Sequence, residues 1–226
     1  SPYDIFPTER QPKTLKELFN DLESLNKMGE ISKNNIYHSF REYNPRMMPW
    51  IENLKEGQSA FENTDTERIP HQIKNGKIVF NQSKNGDKYA RWYWDREGPC
   101  IHTRNDILSS QNTVHPSENR VFSIDELMRM MSIPDSFKWS NIPIDKLNKM
   151  SNLEKKHFLK QEELNIRQCI GEAVPTGVFT NIAKKIKRVL NEEFYSSREI
   201  EKEIENNNLN EPDNLISFIN DNFNKI

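Results

Sequence analysis

The chain has 226 residues, 34% apolar and 29% charged, with mean hydropathy −0.89; four Trp, twelve Phe and six Tyr supply enough large side chains for a real core, in one large domain or two small ones. No apolar run approaches the roughly 20 residues of a membrane span, and no signal-type segment opens the chain. The formal net charge of −2 hides an uneven distribution: residues 191–226 carry nine acidic and three basic side chains, leaving residues 1–190 at +4, a mildly basic body that permits contact with nucleic acid without requiring it.

Residues 1–12 carry Pro2, Pro7 and Pro12 and read as an extended connection from something upstream, as does a chain that begins at Ser1 rather than Met. Thr14 and Glu17 form a capping box, and Leu15, Leu18, Phe19, Leu22 and Leu25 at helical spacing predict a helix ending near Gly29. Asn44-Pro45 opens a short helix with Met47, Met48, Ile51 and Leu54, closed by Gly57. Asn75-Gly76 and Asn85-Gly86 are hairpin-turn signals beside the β-favouring residues 77–80 and 89–94, followed by polar, turn-prone sequence to Asn119. Helix returns at Ser123, with Glu126 completing its cap, and again at Ser151 with Glu154. A longer helix from about Val174 to Leu190 sets Val178, Phe179, Ile182, Ile186 and Val189 on one stripe, most simply core packing. The tail beyond Ser196 reads as weak helix or irregular chain.

Three stretches, in order, resemble the C-terminal part of bacterial DNA (cytosine-5) methyltransferases. Trp94-Asp95-Arg96-Glu97-Gly98-Pro99-Cys100-Ile101-His102-Thr103-Arg104 is similar to the family's W-D-x-P-x-P-T-I-x-T segment in the target-recognition domain. Arg120-Val121-Phe122-Ser123-Ile124-Asp125-Glu126-Leu127-Met128-Arg129, running on to Ile133-Pro134-Asp135-Ser136-Phe137, resembles the ninth family motif and its trailing F-P-D-x-F. Arg167-Gln168-Cys169-Ile170-Gly171-Glu172-Ala173-Val174-Pro175 resembles the tenth motif, Q-I-G-N-A-V-P-P, with Glu172 in place of the usual Asn. A fainter likeness covers residues 38–59. The family's catalytic pieces have no counterpart. The one Pro-Cys pair, Pro99-Cys100, continues with Ile101-His102 instead of Gln, so Cys100 reads as structural; the Glu-Asn pairs at 62, 118 and 205 continue with Thr, Arg and Asn instead of Val. Seven glycines, no two closer than six residues, exclude the glycine-rich first motif and any phosphate-cradling loop.

The resemblance implies roles for particular residues. Arg104, Asn105, Asp106, Gln111 and Asn112 lie where the family's loops enter the major groove, and their side chains are of the types that read base edges; an ordinary solvated loop is the alternative. Arg91 and Arg120, with Arg104 and, more weakly, Lys84 and Lys88, are candidates for phosphate contacts that set register. Ser123 is a candidate for phosphate or a plain N-cap. Gly171, Glu172, Ala173 and Val174 correspond to the turn beside the S-adenosylmethionine carboxylate, although a carboxylate at Glu172 would repel it. Trp92 and Trp94 read as core, and the five histidines show no metal-ligand spacing.

The expected fold class is α+β: a small β-rich target-recognition module with long loops, flanked by C-terminal helices that would pack on an α/β catalytic domain absent from this chain. Residues 1–35 would be a connecting segment and helix, 36–150 the recognition module with the ninth motif, 151–190 the tenth motif and helices, and 191–226 an acidic, Asn-rich tail. The expected function is sequence-specific recognition of double-stranded DNA within a cytoplasmic, bacterial, restriction-modification type methyltransferase. S-adenosylmethionine would serve only the complete enzyme, a catalytic domain or subunit would be the protein partner, and this chain alone would be inactive. A standalone DNA-binding regulator and a helical protein-interaction module are the competing expectations.

Overall fold

The computed structural model describes residues 11–82 and 86–191. The expectations for residues 1–10, for Lys84 and the Asn85 turn, and for the tail past Asn191 lie outside the described residues, as does the side chain of Val189. The elements are α1 (Leu15–Leu18), α2 (Met48–Ile51), β1 (His71–Lys74), β2 (Lys77–Phe80), α3 (Ile124–Met130), α4 (Ile144–Lys149), α5 (Asn152–Glu172) and α6 (Thr176–Leu190), with 3-10 turns at Pro45–Met47, Ala60–Glu62 and Thr66–Arg68. Mixed helix with one small sheet agrees with an α+β class. The chain divides into two compact units, Gln11–Thr176 and a second that holds the described residues 177–191.

Local chemistry starts most of these elements. Thr14 with Glu17, Ser123 with Glu126, and Ser151 with Glu154 each close a complete capping box on α1, α3 and α5, satisfying N–H groups that helix geometry leaves unpaired. The helix predicted to run to Gly29 stops at Leu18 instead. Arg129 Nη1 donates to the Leu18 carbonyl (2.9 Å) and its Nη2 to Asp21 (3.0 Å), taking the acceptor that a further helical turn would need. In the second hairpin region the expected strand at 89–94 is reduced to isolated bridges, Ser59 with Ala90 and Arg91 with Val114, and Tyr89, where the run would begin, sits at φ +52°. α4 carries no cap from a side chain and was not anticipated. α5 continues through Gly171 and Glu172, so the tenth motif begins inside a helix rather than in a turn.

Two apolar cores stabilise the unit Gln11–Thr176. The larger joins Leu15 and Phe19 to Ile124, Leu127 and Met128 of α3 and to Phe158, Ile166 and Ile170 of α5, with Trp92 and Trp94 packed at its margin, as expected of them. The smaller gathers Trp50, Ile51, Tyr89, Leu108, Val114 and Val121 beneath the loop-rich region. In the second unit the α6 stripe is largely uncovered: Val178, Phe179 and Ile186 are all exposed.

Candidate nucleic-acid interface

Residues 104–112 were expected to present base-reading side chains, and the structure divides them sharply. Asn105 is buried; its amide donates to the carbonyls of His102 (2.7 Å) and Arg167 (2.9 Å), while Arg167 Nη1 donates to its Oδ1 (3.2 Å). Asp106 is buried too, accepting from Arg104 Nε (2.9 Å) with Arg41 Nη2 3.7 Å away. Burial would push the Asp106 carboxyl up, but the Arg104 hydrogen bond and the charges of Arg104 and Arg41 outweigh it and hold the group below its ordinary value. Arg41 also binds Glu163 (2.8 Å), which accepts from Arg167 (2.8 Å), so an alternating chain of charges ties this segment to α5. Asn105 and Asp106 are therefore built into the framework. Arg104 remains mostly exposed. Gln111 and Asn112 are half-buried, Gln111 bridging to Lys88 and Asn112 held at φ +51° with its N–H on the Asp87 carbonyl (2.8 Å).

Three of the candidates for phosphate contact are likewise buried. Arg91 is buried, its guanidinium donating to the carbonyls of Ile51 (2.9 Å), His115 (2.7 Å) and Glu118 (2.9 Å) and to Asn119 Oδ1 (2.6 Å). It staples the end of α2 to the segment 115–119. Arg120 is fully buried, forked onto both oxygens of Glu126 (2.7 Å each) with Nε on Glu118 (2.6 Å). Ser123 is buried at the start of α3, where its Oγ accepts the Glu126 N–H and lies 3.0 Å from His38 Nδ1. Burial and their protein hydrogen bonds tie all three side chains into the framework.

Residues 171–174, the end of α5 and the two residues after it, lie at the surface with Glu172, Ala173 and Val174 exposed. A Cβ on Gly171 would stand 2.5 Å from the His102 carbonyl oxygen, so glycine here permits the close approach of α5 to that backbone. Glu172 accepts from Gln168 (3.0 Å), and the N–H groups of Ala173 and Thr176 are taken by the carbonyls of Ile170 and Met131. Both cysteines are free and exposed, and no group of potential metal ligands occurs among the described residues.

What the residue-by-residue reading missed is the prominence of the β1–β2 hairpin. His71, at its root, packs on Trp50 (5.4 Å between ring centroids) and Phe80 (6.4 Å), and Asn81 N–H closes the base on the Pro70 carbonyl (2.8 Å). Every later residue of both strands is exposed. The signal was present in the sequence: residues 69–86 contain three lysines and no carboxylate.

Among the described residues no helix is long and apolar enough to cross a membrane. The family model for C-5 cytosine-specific DNA methylase matches residues 2–188. The chain is similar to Type II methyltransferase M1.HgaI of Avibacterium volantium, 32% identical over 159 residues, 66% of this chain and 38% of that protein. It is also similar to DNA (cytosine-5)-methyltransferase CMT3 of Arabidopsis thaliana, 31% identical over 75 residues, 33% of this chain and 9% of that protein. It thus spans well under half the length of these relatives. A match running through both the loop-rich region and the capped helices means that the chain belongs to the C-5 cytosine-specific DNA methylase family.

Proposed function

We propose that this chain is the DNA-recognising portion of a cytosine-5 DNA methyltransferase, selecting the site on double-stranded DNA while the methyl-transfer chemistry resides on a catalytic domain or subunit outside it. The observation that carries the reading is the family match over residues 2–188 to a sequence whose one Pro-Cys pair, at Pro99-Cys100, lacks the following Gln and whose glycines are too sparse for a cofactor loop. The framework supports it: buried charged residues from distant parts of the chain hold an irregular region in one shape, which is what reading a base sequence demands.

S-adenosylmethionine would be the methyl donor of the complete enzyme. The segment 171–174 at the end of α5 does not fit as a clamp for its methionine carboxylate, since Glu172 has the same sign and the Ala173 and Thr176 N–H groups are already engaged. These residues are at most a wall of that site.

The test is a pair of measurements on the 226-residue chain. Fluorescence anisotropy with duplex DNA should show binding that weakens steeply between about 50 and about 200 mM salt. Incubation with methyl-labelled S-adenosylmethionine and the same DNA should transfer no label. Label entering DNA from this chain alone overturns the division of labour, and salt-independent or absent binding overturns DNA recognition.

A further inference from the structure

The two faces of the β1–β2 hairpin differ. Pairing sets His71 opposite Phe80, Gln72 opposite Val79, Ile73 opposite Ile78 and Lys74 opposite Lys77, and side chains alternate between faces along each strand. One face therefore carries His71, Phe80, Ile73 and Ile78, continuing the apolar root. The other carries Gln72, Val79, Lys74 and Lys77, all exposed.

Like charges directly opposite one another on a sheet face are destabilising, yet Lys74 and Lys77 stand in that relation with no ion pair or hydrogen bond from either ammonium among the described residues. An anion drawn to both would relieve the repulsion. The nearest sequence reinforces the sign, because no carboxylate occurs anywhere in residues 69–86. Size agrees as well. Four strand residues at ~3.3 Å each project roughly 13 Å, and a two-stranded ribbon fits a major groove about 12 Å wide and about 8.5 Å deep. The turn is stiff for its length: Asn75 at φ +49° and Gly76 at φ +73° follow the twist of the strands.

Resting on the DNA-recognition reading above, we propose that the β1–β2 hairpin is the part of this chain that enters the major groove of its target duplex. Its Gln72/Lys74/Lys77/Val79 face turns to the DNA. Lys74 and Lys77 hold phosphates on the groove walls. Gln72 meets a base edge, for which adenine N6 and N7 are the matching pair, and Val79 lies against a thymine methyl. Rooting by His71 on Trp50 gives the ribbon a rigid base, so groove entry orders little new structure.

The experiment uses the full chain and a randomised duplex of about 30 base pairs, selected by binding and then sequenced, with anisotropy over a salt series. The double variant Lys74→Ala/Lys77→Ala should lower the salt slope by about 2 without changing the selected sequence. Lys74→Arg/Lys77→Arg should keep the slope. Gln72→Ala should cut discrimination about tenfold at one position of the selected site, while Ile73→Ser, on the opposite face, should leave that site unchanged. All four side chains are exposed, so far-UV circular dichroism and Tm should match the parent. Loss of binding by the unmodified chain would sink the recognition reading itself. Binding by the Lys double variant with an unmoved slope, or an unchanged selected sequence for Gln72→Ala, would sink only the hairpin assignment. It also falls if the hairpin variants abolish self-association in sedimentation while DNA binding stays put, since the ribbon would then be a protein-docking edge.

Discussion

Arg120, Glu126 and His115 meet almost out of reach of water and set one another's protonation. Burial would raise the Glu126 carboxyl, but the forked Arg120 guanidinium overrides it and holds the group well below the carboxylate range. His115 Nδ1 accepts the N–H groups of Ser117 and Glu118, leaving its proton on Nε2, 3.5 Å from Glu126 Oε1. Burial, with the neighbouring Arg120 and Arg91 charges, pushes this imidazole down to about 3 against the attraction of Glu126. Both folded values lie below the ordinary ones of 6.5 and 4.5, so on acidification the unfolded chain takes up protons that the folded chain refuses. Stability should therefore begin to fall as pH drops through the ordinary histidine range and fall more steeply below the ordinary Glu value. Urea midpoints measured from about pH 8 down to about pH 4 should show both phases, and His115→Gln should abolish the first. Glu126→Gln leaves the Arg120 charge buried with half its partner and should cost about 3–5 kcal/mol; Arg120→Lys should fail to substitute, because an ammonium cannot span both oxygens. A midpoint unmoved by either change would refute the account of this cluster.

The capped helices α1, α3 and α5 began where their caps foretold, and α1 ended where a distant side chain intervened. Ser123 with Glu126 and Ser151 with Glu154 were legible because a capping box is written within four residues. The end of α1 was not, since it depends on Arg129, whose bond to the Leu18 carbonyl spans 111 positions. Two glycines separate the possible reasons for that residue. Gly171 lies in α5, and an added Cβ meets backbone of His102 and Thr103 at 2.5–2.6 Å. Backbone cannot step aside as a side chain does, so Gly171→Ala should lower stability by about 1–3 kcal/mol in thermal unfolding. Gly76 has nothing within 4 Å and is required only by φ +73°, so Gly76→Ala should cost about 1 kcal/mol, felt in the hairpin and not in either core. Equal effects of the two substitutions on global Tm would contradict this distinction.

Both apolar cores fall within Gln11–Thr176. Residues 11–176 produced alone should consequently unfold in one cooperative transition by circular dichroism and fluorescence; a gradual melt would show that the cores depend on more of the chain. Charge acts across the whole molecule. Residues 191–226 carry −6 against +4 for the remainder, so ending the chain at Leu190 should tighten duplex binding several-fold at about 50 mM salt and have little effect at about 1 M, where screening shrinks to about 3 Å. Binding weakened by that truncation would mean the acidic residues take part directly.

The order of the three motif stretches, the capping boxes, the Asn75-Gly76 turn and the long C-terminal helix could all be read directly from the residues, because each is a matter of neighbours within a few positions. Which charged side chains face water could not. Arg91, Arg104, Arg120 and Lys74 look alike as letters in a polar chain, and only folding distinguishes them. Asn105 is buried against Arg167, 62 positions away, and Arg41 reaches Glu163 across 122. Burial is set by what long-range packing brings alongside a residue, so Asn105 and Asp106 were drawn into the framework while Arg104, Lys74 and Lys77 stayed exposed.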